Sequence, residues 1–124
     1  MAGNNIKANP VVVGISGASG SLMAQRTVDE LLRRDLATSV VCSNAARLVW
    51  QEEMPAAFND SLVEWQEHPR FTFWQNTDLR APIASGTYPN RGMVLVPASM
   101  NSIGALANGM SGNLLLRAAD VCLK

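Results

Sequence analysis

Serine hydroxyls gather at glycine turns in this chain, and that pairing is its first chemical signal. In the segment GISGASGS, Gly14, Gly17 and Gly20 recur every third residue, with Ser16, Ser19 and Ser21 beside them. Glycines at such a turn let the backbone approach a bound group, and free N–H groups at a following helix start attract phosphate. A tight strand-to-helix turn that holds no ligand explains the same spacing, so two readings stand. A second serine-rich turn, Ala98 to Ser102, follows the apolar run GMVLVP. Near the end of the chain Asn113, Arg117, Asp120 and Lys124 recur at i, i+4, i+7 and i+11, a polar stripe on an otherwise apolar helix. The stripe is either a solvated face or a set of cations meeting an anionic substrate. In the second case Arg117 suits a bidentate phosphate contact and Lys124 a point-charge one. Ser85 and Gly86 sit in the loop APIASGTYPN just before an apolar strand, where substrate loops and plain turns both occur.

Several nucleotide chemistries lack their companions here. An NAD site wants an acid at the end of the second strand, and that position holds Cys42 and Ser43. A Tyr-x-x-x-Lys pair fails because Tyr88 is followed four residues on by Gly92, and no Gly-Lys-Ser or Gly-Lys-Thr follows the glycines. What remains is a nucleotide held by hydroxyls and backbone amides, a description that flavin mononucleotide (FMN) fits. The two cysteines, Cys42 and Cys122, lie far apart, and His68 is the single histidine, so neither a zinc site nor a Ser-His-Asp triad is expected. Ten basic and ten acidic residues give a formal net charge of zero, which leaves no broad basic surface for nucleic acid. No apolar run approaches a membrane span, and MAGNNIKANP lacks the features of a signal peptide. A cytoplasmic protein with free thiols is the expectation.

The elements that must position these residues follow from periodicity. The 124 residues suit one domain, read as an N-terminal arm over 1–9 and an α/β domain over 10–124. Val11 to Ile15 reads as a buried parallel strand, and Ser19 to Arg34 as a helix from the spacing of Ala24, Val28, Leu31 and Leu32. ATSVVCS is a second strand, and Ser43 caps a helix that runs to about Glu53, before Pro55. Glu52 and Glu53 fall at the helix end where the dipole disfavours acids; they are either solvated or functional. Residues 55–68 read as short helical or irregular structure, RFTFWQ as a third strand, and NTDLRAPIASGTYPN as a long loop. GMVLVP reads as a fourth strand buried on both faces, followed by a helix capped by Ser99 and closed at Gly109, then by a last helix. Trp50, Trp65 and Trp74 are expected in the core or at a subunit interface. The order predicts a doubly wound parallel sheet of the Rossmann or flavodoxin kind in three αβα layers, with ligands at the carboxyl ends of the strands. Both serine-rich turns fall there.

Three segments, GISGASGS, APIASGT and LVPASMNSIGALANGMSGNLLLRAADVCLK, together resemble the flavin prenyltransferases, in order and over nearly the whole chain. The resemblance implies transfer of a dimethylallyl group from dimethylallyl phosphate to reduced FMN, without a metal. It also implies a homo-oligomer with FMN at subunit interfaces, whose product passes to a prenylated-FMN-dependent decarboxylase. By position, Gly17, Ala18 and Ser19 match the flavin-contacting turn, with Ser19 the catalytic hydroxyl that helps proton transfer near flavin N5. Ser43 matches the flavin-binding serine after the second strand, and Ser99, Met100, Asn101 and Ser102 match the second flavin-binding turn. Ser85 and Gly86 match the loop near the prenyl phosphate, Lys124 a phosphate-binding lysine, and Arg117 and Glu53 charged residues near that site. The sequence departs from the family at Ala98, often cysteine, at Asn101, often lysine or glycine, and at Leu79, where some members place a prenyl-pocket tryptophan. The family continues beyond the position of Lys124 with a further strand, an acid/base glutamate and later phosphate-gripping residues. The chain therefore reads as an N-terminal portion truncated at its C-terminus, expected to be inactive alone. Two other readings are an FMN-dependent decarboxylase of cysteine-containing peptides, for which His68 is badly placed, and a non-enzymatic FMN-binding electron carrier.

Overall fold

The computed structural model describes residues 9–124, so the expected arm over 1–9 lies, apart from Asn9, outside the described residues. The valine-rich runs β1 (Val11–Ile15) and β2 (Thr38–Cys42) are almost wholly buried. That is the state expected of β-branched residues in a parallel sheet covered on both faces. With β3 (Phe71–Trp74) and β4 (Met93–Leu95) they form a four-stranded sheet in the order β3-β2-β1-β4, every pair parallel. Val13 stands opposite both Val40 and Val94. The chain thus moves outward from β1 to β3, then returns to the other side of β1. The reversal opens a crevice between the carboxyl ends of β1 and β4.

Alternating strand residues feed two apolar layers. On one face α1 (Ser21–Arg33), α2 (Asn44–Glu53) and α3 (Phe58–Gln66) pack over Val13 and Val40. On the other, a 3-10 turn (Pro82–Ala84) and α5 (Leu114–Leu123) cover Val12 and Val41. α4 (Met100–Ala107) contacts α5 and has no buried residue. The architecture is therefore the three-layer, flavodoxin-like αβα sheet that the sequence predicts. No helix among the described residues is long and apolar enough to cross a membrane.

Trp50 and Trp65 belong to the core. Trp50 is fully buried, meets Phe58 and Trp65 edge-on at 5.2 and 6.2 Å, and donates its indole N–H to Ala56 O at 3.2 Å. Trp65 donates to Asp29 Oδ1 at 2.8 Å. Trp74, half-buried on the opposite face, keeps its indole nitrogen buried without a partner among the described residues.

Two expectations change, and the open reading of residues 55–68 resolves to its helical alternative. α1 starts at Ser21 because Gly20, at φ +131°, lies outside helical space. Residues 55–68 hold a true helix, α3, whose buried Phe58, Ser61 and Trp65 keep helical spacing. β4 is not buried on both faces: it lies, like β3, at an edge of the four described strands, with Val94 37% exposed. An unbroken apolar run reads alike for a central strand and an edge strand, since only the neighbours differ.

Trp50→Phe should lower stability by about 1–3 kcal/mol, since it leaves a cavity and strands the Ala56 carbonyl. Trp74→Phe, which removes an unsatisfied donor, should stay within about 1 kcal/mol of the parent. Urea unfolding midpoints measured side by side will show the two tryptophans parting in this way.

Candidate functional site

At the crevice the two serine-rich turns are tied together. Ser16, only 2% exposed, donates its hydroxyl to Pro97 O at 2.7 Å and accepts the Ser99 amide at 2.7 Å. The Ser16 amide also donates to Pro97 O at 3.2 Å. Ser43 joins from the neighbouring strand, donating its amide to Ile15 O at 3.0 Å. Ser43 Oγ accepts Ala46 N at 3.1 Å and Ser99 Oγ accepts Ser102 N at 3.1 Å, so each caps its helix as the sequence predicts. Ser99 also donates to the Ser102 hydroxyl at 3.0 Å. The amides of Asn44, Ala45, Met100 and Asn101 carry no hydrogen bond among the described residues. α1, α2 and α4 thus direct their positive ends toward one edge of the sheet.

The glycines have packing reasons of their own. A Cβ on Gly17 would stand 2.5 Å from the Ala45 Cβ, so the turn can lie against α2 only without a side chain. Gly20 needs its positive φ to start α1. For these two glycines the ligand-free explanation suffices, and the ligand argument rests on the hydroxyls and amides around them.

Glu53, the last residue of α2, sits at a helix end that disfavours it. Its carboxylate reaches across to α1. Oε2 accepts the Ser19 hydroxyl at 2.5 Å, and Oε1 accepts the Gly20 and Ser21 amides at 3.0 Å each. These bonds, that of Ser19 foremost, hold the Glu53 carboxyl down to about 2. The acid is therefore placed rather than merely solvated, and it revises one expectation. The first amides of α1 are not free for phosphate, because a carboxylate of the chain already occupies them. At the end of β2 the Cys42 thiol is buried, and desolvation pushes it up to about 12.

α5 organises a second group. Arg117 Nε donates to Ala84 O at 3.2 Å, which brings the helix against the loop that carries Ser85. Ser85 pairs with the Thr87 hydroxyl at 2.9 Å, and Gly86 borders open space. The polar stripe serves several ends. Asn113 caps α5 through Leu116 N at 2.9 Å, and Asp120 pairs with Lys124 at 3.1 Å rather than with any other predicted site residue. Met100 and Asn101 are exposed, Met100 at 81%. Asn76 escapes the sequence reading, yet its carbonyl and its Oδ1 accept the Leu114 and Leu115 amides at 2.9 and 2.8 Å. Its one sequence signal, an asparagine in a turn-rich QNTD stretch, points to a turn and not to a distant helix. His68 precedes β3 at the amino edge of the sheet, 3.5 Å from Asp35, on the side away from both groups.

Comparison with known proteins places the chain among flavoproteins. The profile of the flavoprotein family matches residues 2–124. The flavin prenyltransferase UbiX of Halalkalibacterium halodurans is 40% identical over 117 residues, covering 90% of this chain and 57% of the relative. The crystal structure of AnUbiX (PadA1) in complex with FMN and dimethylallyl pyrophosphate superposes with a TM-score of 0.85 at 27% identity, covering 93% of this chain and 58% of that one. A dodecameric FMN-dependent UbiX-like decarboxylase from Escherichia coli O157:H7 gives 0.81 at 28% identity, with 92% and 60% covered. The chain spans about three fifths of the length of the relatives it matches.

The Glu53 clamp makes a pH prediction. Its carboxyl titrates near 2 when folded against an ordinary 4.5, so the stability it contributes is complete above 4.5 and lost as pH falls toward 2. Glu53→Gln should be less stable than the parent near neutral pH, with the gap between their urea midpoints closing over that acid interval. A gap that stays constant with pH would show that the charge does not hold α1.

Proposed function

The chain belongs to the flavoprotein family, and from that premise we propose that it binds FMN at the paired β1 and β4 turns and serves transfer of a dimethylallyl group from dimethylallyl phosphate to the reduced flavin. The observation that carries this reading is the Ser19–Glu53 pair, set in a crevice otherwise lined by neutral hydroxyls and amides. The donor set suits a mononucleotide. Ser43, Ser99 and Ser102 supply hydroxyls, the first turns of α2 and α4 supply amides, and Cys42 stands where a dinucleotide site wants an acid. Glu53 closes the start of α1 to a pyrophosphate. Gly17, Ala18, Met100 and Asn101 contribute backbone to the same two turns.

When bound, reduced FMN supplies the ring atoms that accept the allyl group. Ser19 donates its proton to Glu53 and so keeps oxygen lone pairs for a proton leaving the acceptor. Glu53, ionised throughout the neutral range, fixes that direction. Departure of phosphate from an allylic carbon needs cations on the leaving group. Arg117 spends Nε on Ala84 O and keeps its terminal nitrogens for phosphate, beside Ser85 and Gly86. Lys124 adds a mobile charge by exchanging Asp120 for the substrate.

Exposed Leu22, Met23, Met100 and Ile103 flank the crevice, an apolar rim suited to a second copy of the chain, which would exclude water from an allylic cation. The homo-oligomer, the cytoplasmic location and delivery of the product to a prenylated-FMN-dependent decarboxylase belong to the same proposal. Decarboxylation of cysteine-containing peptides is disfavoured by His68, which lies at the opposite edge of the sheet. A bare electron carrier has no use for the cations of α5.

Incubated without oxygen with reduced FMN and dimethylallyl phosphate, the chain extended past Lys124 to the length of its relatives should release a flavin heavier by one dimethylallyl unit. Ser19→Ala should slow that gain by about 10²–10⁴-fold while FMN still binds. Bound flavin with no mass gain, both from this chain and from a version extended past Lys124 to the length of its relatives, would overturn the transferase reading in favour of the carrier.

A further inference from the structure

The loop between β3 and β4 is fastened to α5 at two points. The carbonyl and Oδ1 of Asn76 take the Leu114 and Leu115 amides, and eight residues later Ala84 O takes Arg117 Nε. On α5 the two ties lie less than one turn apart. The arc between them is pressed onto the same helix, with Ala81 and Ile83 buried against Leu114, Leu115 and Ala118. Ser85 follows directly after the second tie. The separation of Ser85 and Gly86 from the Arg117 guanidinium is therefore set by how the start of α5 is seated, and Asn76 seats it.

We propose that Asn76 is a positioning residue for the phosphate end of the prenyl donor, holding the Ser85–Gly86 loop and Arg117 at the spacing that binds it. The inference rests on the function proposed above and adds to it a residue that touches neither ligand. Asn76 does not act as part of an anion site. The next two amides of α5, Leu116 and Arg117, are taken by Oδ1 and O of Asn113, so the whole first turn is satisfied within the chain. Its effect passes through the planar Arg117 fork. With Nε fixed on Ala84 O, the guanidinium plane is set and the terminal nitrogens present one edge. A shift of α5 would move that edge away from Ser85 and leave the β1 and β4 turns, built on Ser16, as they are.

The test compares the parent with Asn76→Ala and Asn76→Asp in two measurements. Hydrogen exchange by mass spectrometry should show faster exchange over 76–86 and 113–118 in Asn76→Ala, with protection restored in Asn76→Asp, which keeps the acceptor. Calorimetry should show dimethylallyl phosphate bound about tenfold more weakly by Asn76→Ala, with FMN affinity within about twofold of the parent. Unchanged dimethylallyl phosphate binding, unchanged exchange, or an equal loss of both ligands would overturn the positioning role. A parent, extended past Lys124 to the length of its relatives, that binds FMN and no dimethylallyl phosphate would overturn the proposed transferase and this inference with it.

Discussion

The buried hydroxyl of Ser16 donates to the Pro97 carbonyl and accepts from the Ser99 amide, each at 2.7 Å, and so sets the spacing of the turns that leave β1 and β4. Apolar packing is non-directional and could hold these strands side by side without fixing how their ends face each other. One hydroxyl used as donor and acceptor does fix it. Because strand order reverses here, the helices that follow the two turns diverge, and the width of the crevice between them is a property of that bridge. Ser43 N on Ile15 O extends the same lacing to β2. Three strand ends and three helix starts are thereby held as one rigid rim.

Charge is distributed around that rim with economy. The chain is neutral as a whole, yet its acids and bases are not evenly mixed near the crevice. A single carboxylate, Glu53, spans from the negative end of α2 to the positive end of α1. What is unfavourable at its own helix is favourable at the next. Two cations lie on α5, where Arg117 answers to a loop carbonyl and Lys124 to Asp120. This separation places Arg117 beside the loop that carries Ser85, away from the Ser19–Glu53 pair.

Much of this was legible in the sequence because it is local. Helix caps at Ser43 and Ser99 depend on residues three apart, and the valine runs of β1 and β2 announce buried parallel strands by themselves. The features that escaped depend on partners remote in the chain. Glu53 looked misplaced because the helix end it serves lies more than thirty residues earlier, and nothing between Glu53 and Ser19 marks their meeting. Asn76 looked like a turn residue because its acceptors face a helix thirty-nine positions later. The apolar run of β4 carried no sign that it would lie at an edge. Gly17 illustrates the reverse case: its spacing suggested a ligand cradle, and its immediate reason is the Ala45 methyl.

The buried thiol of Cys42 has a consequence for selectivity. It stands beside Ser43 at the rim of the crevice proposed above to take an electrophilic allyl donor, and a thiolate is among the strongest nucleophiles a protein carries. Desolvation that lifts its pKa to about 12 keeps it as the neutral thiol at physiological pH, and its burial keeps it out of reach. This one sulfur is thereby withdrawn as a competitor by packing alone, without any residue devoted to shielding it.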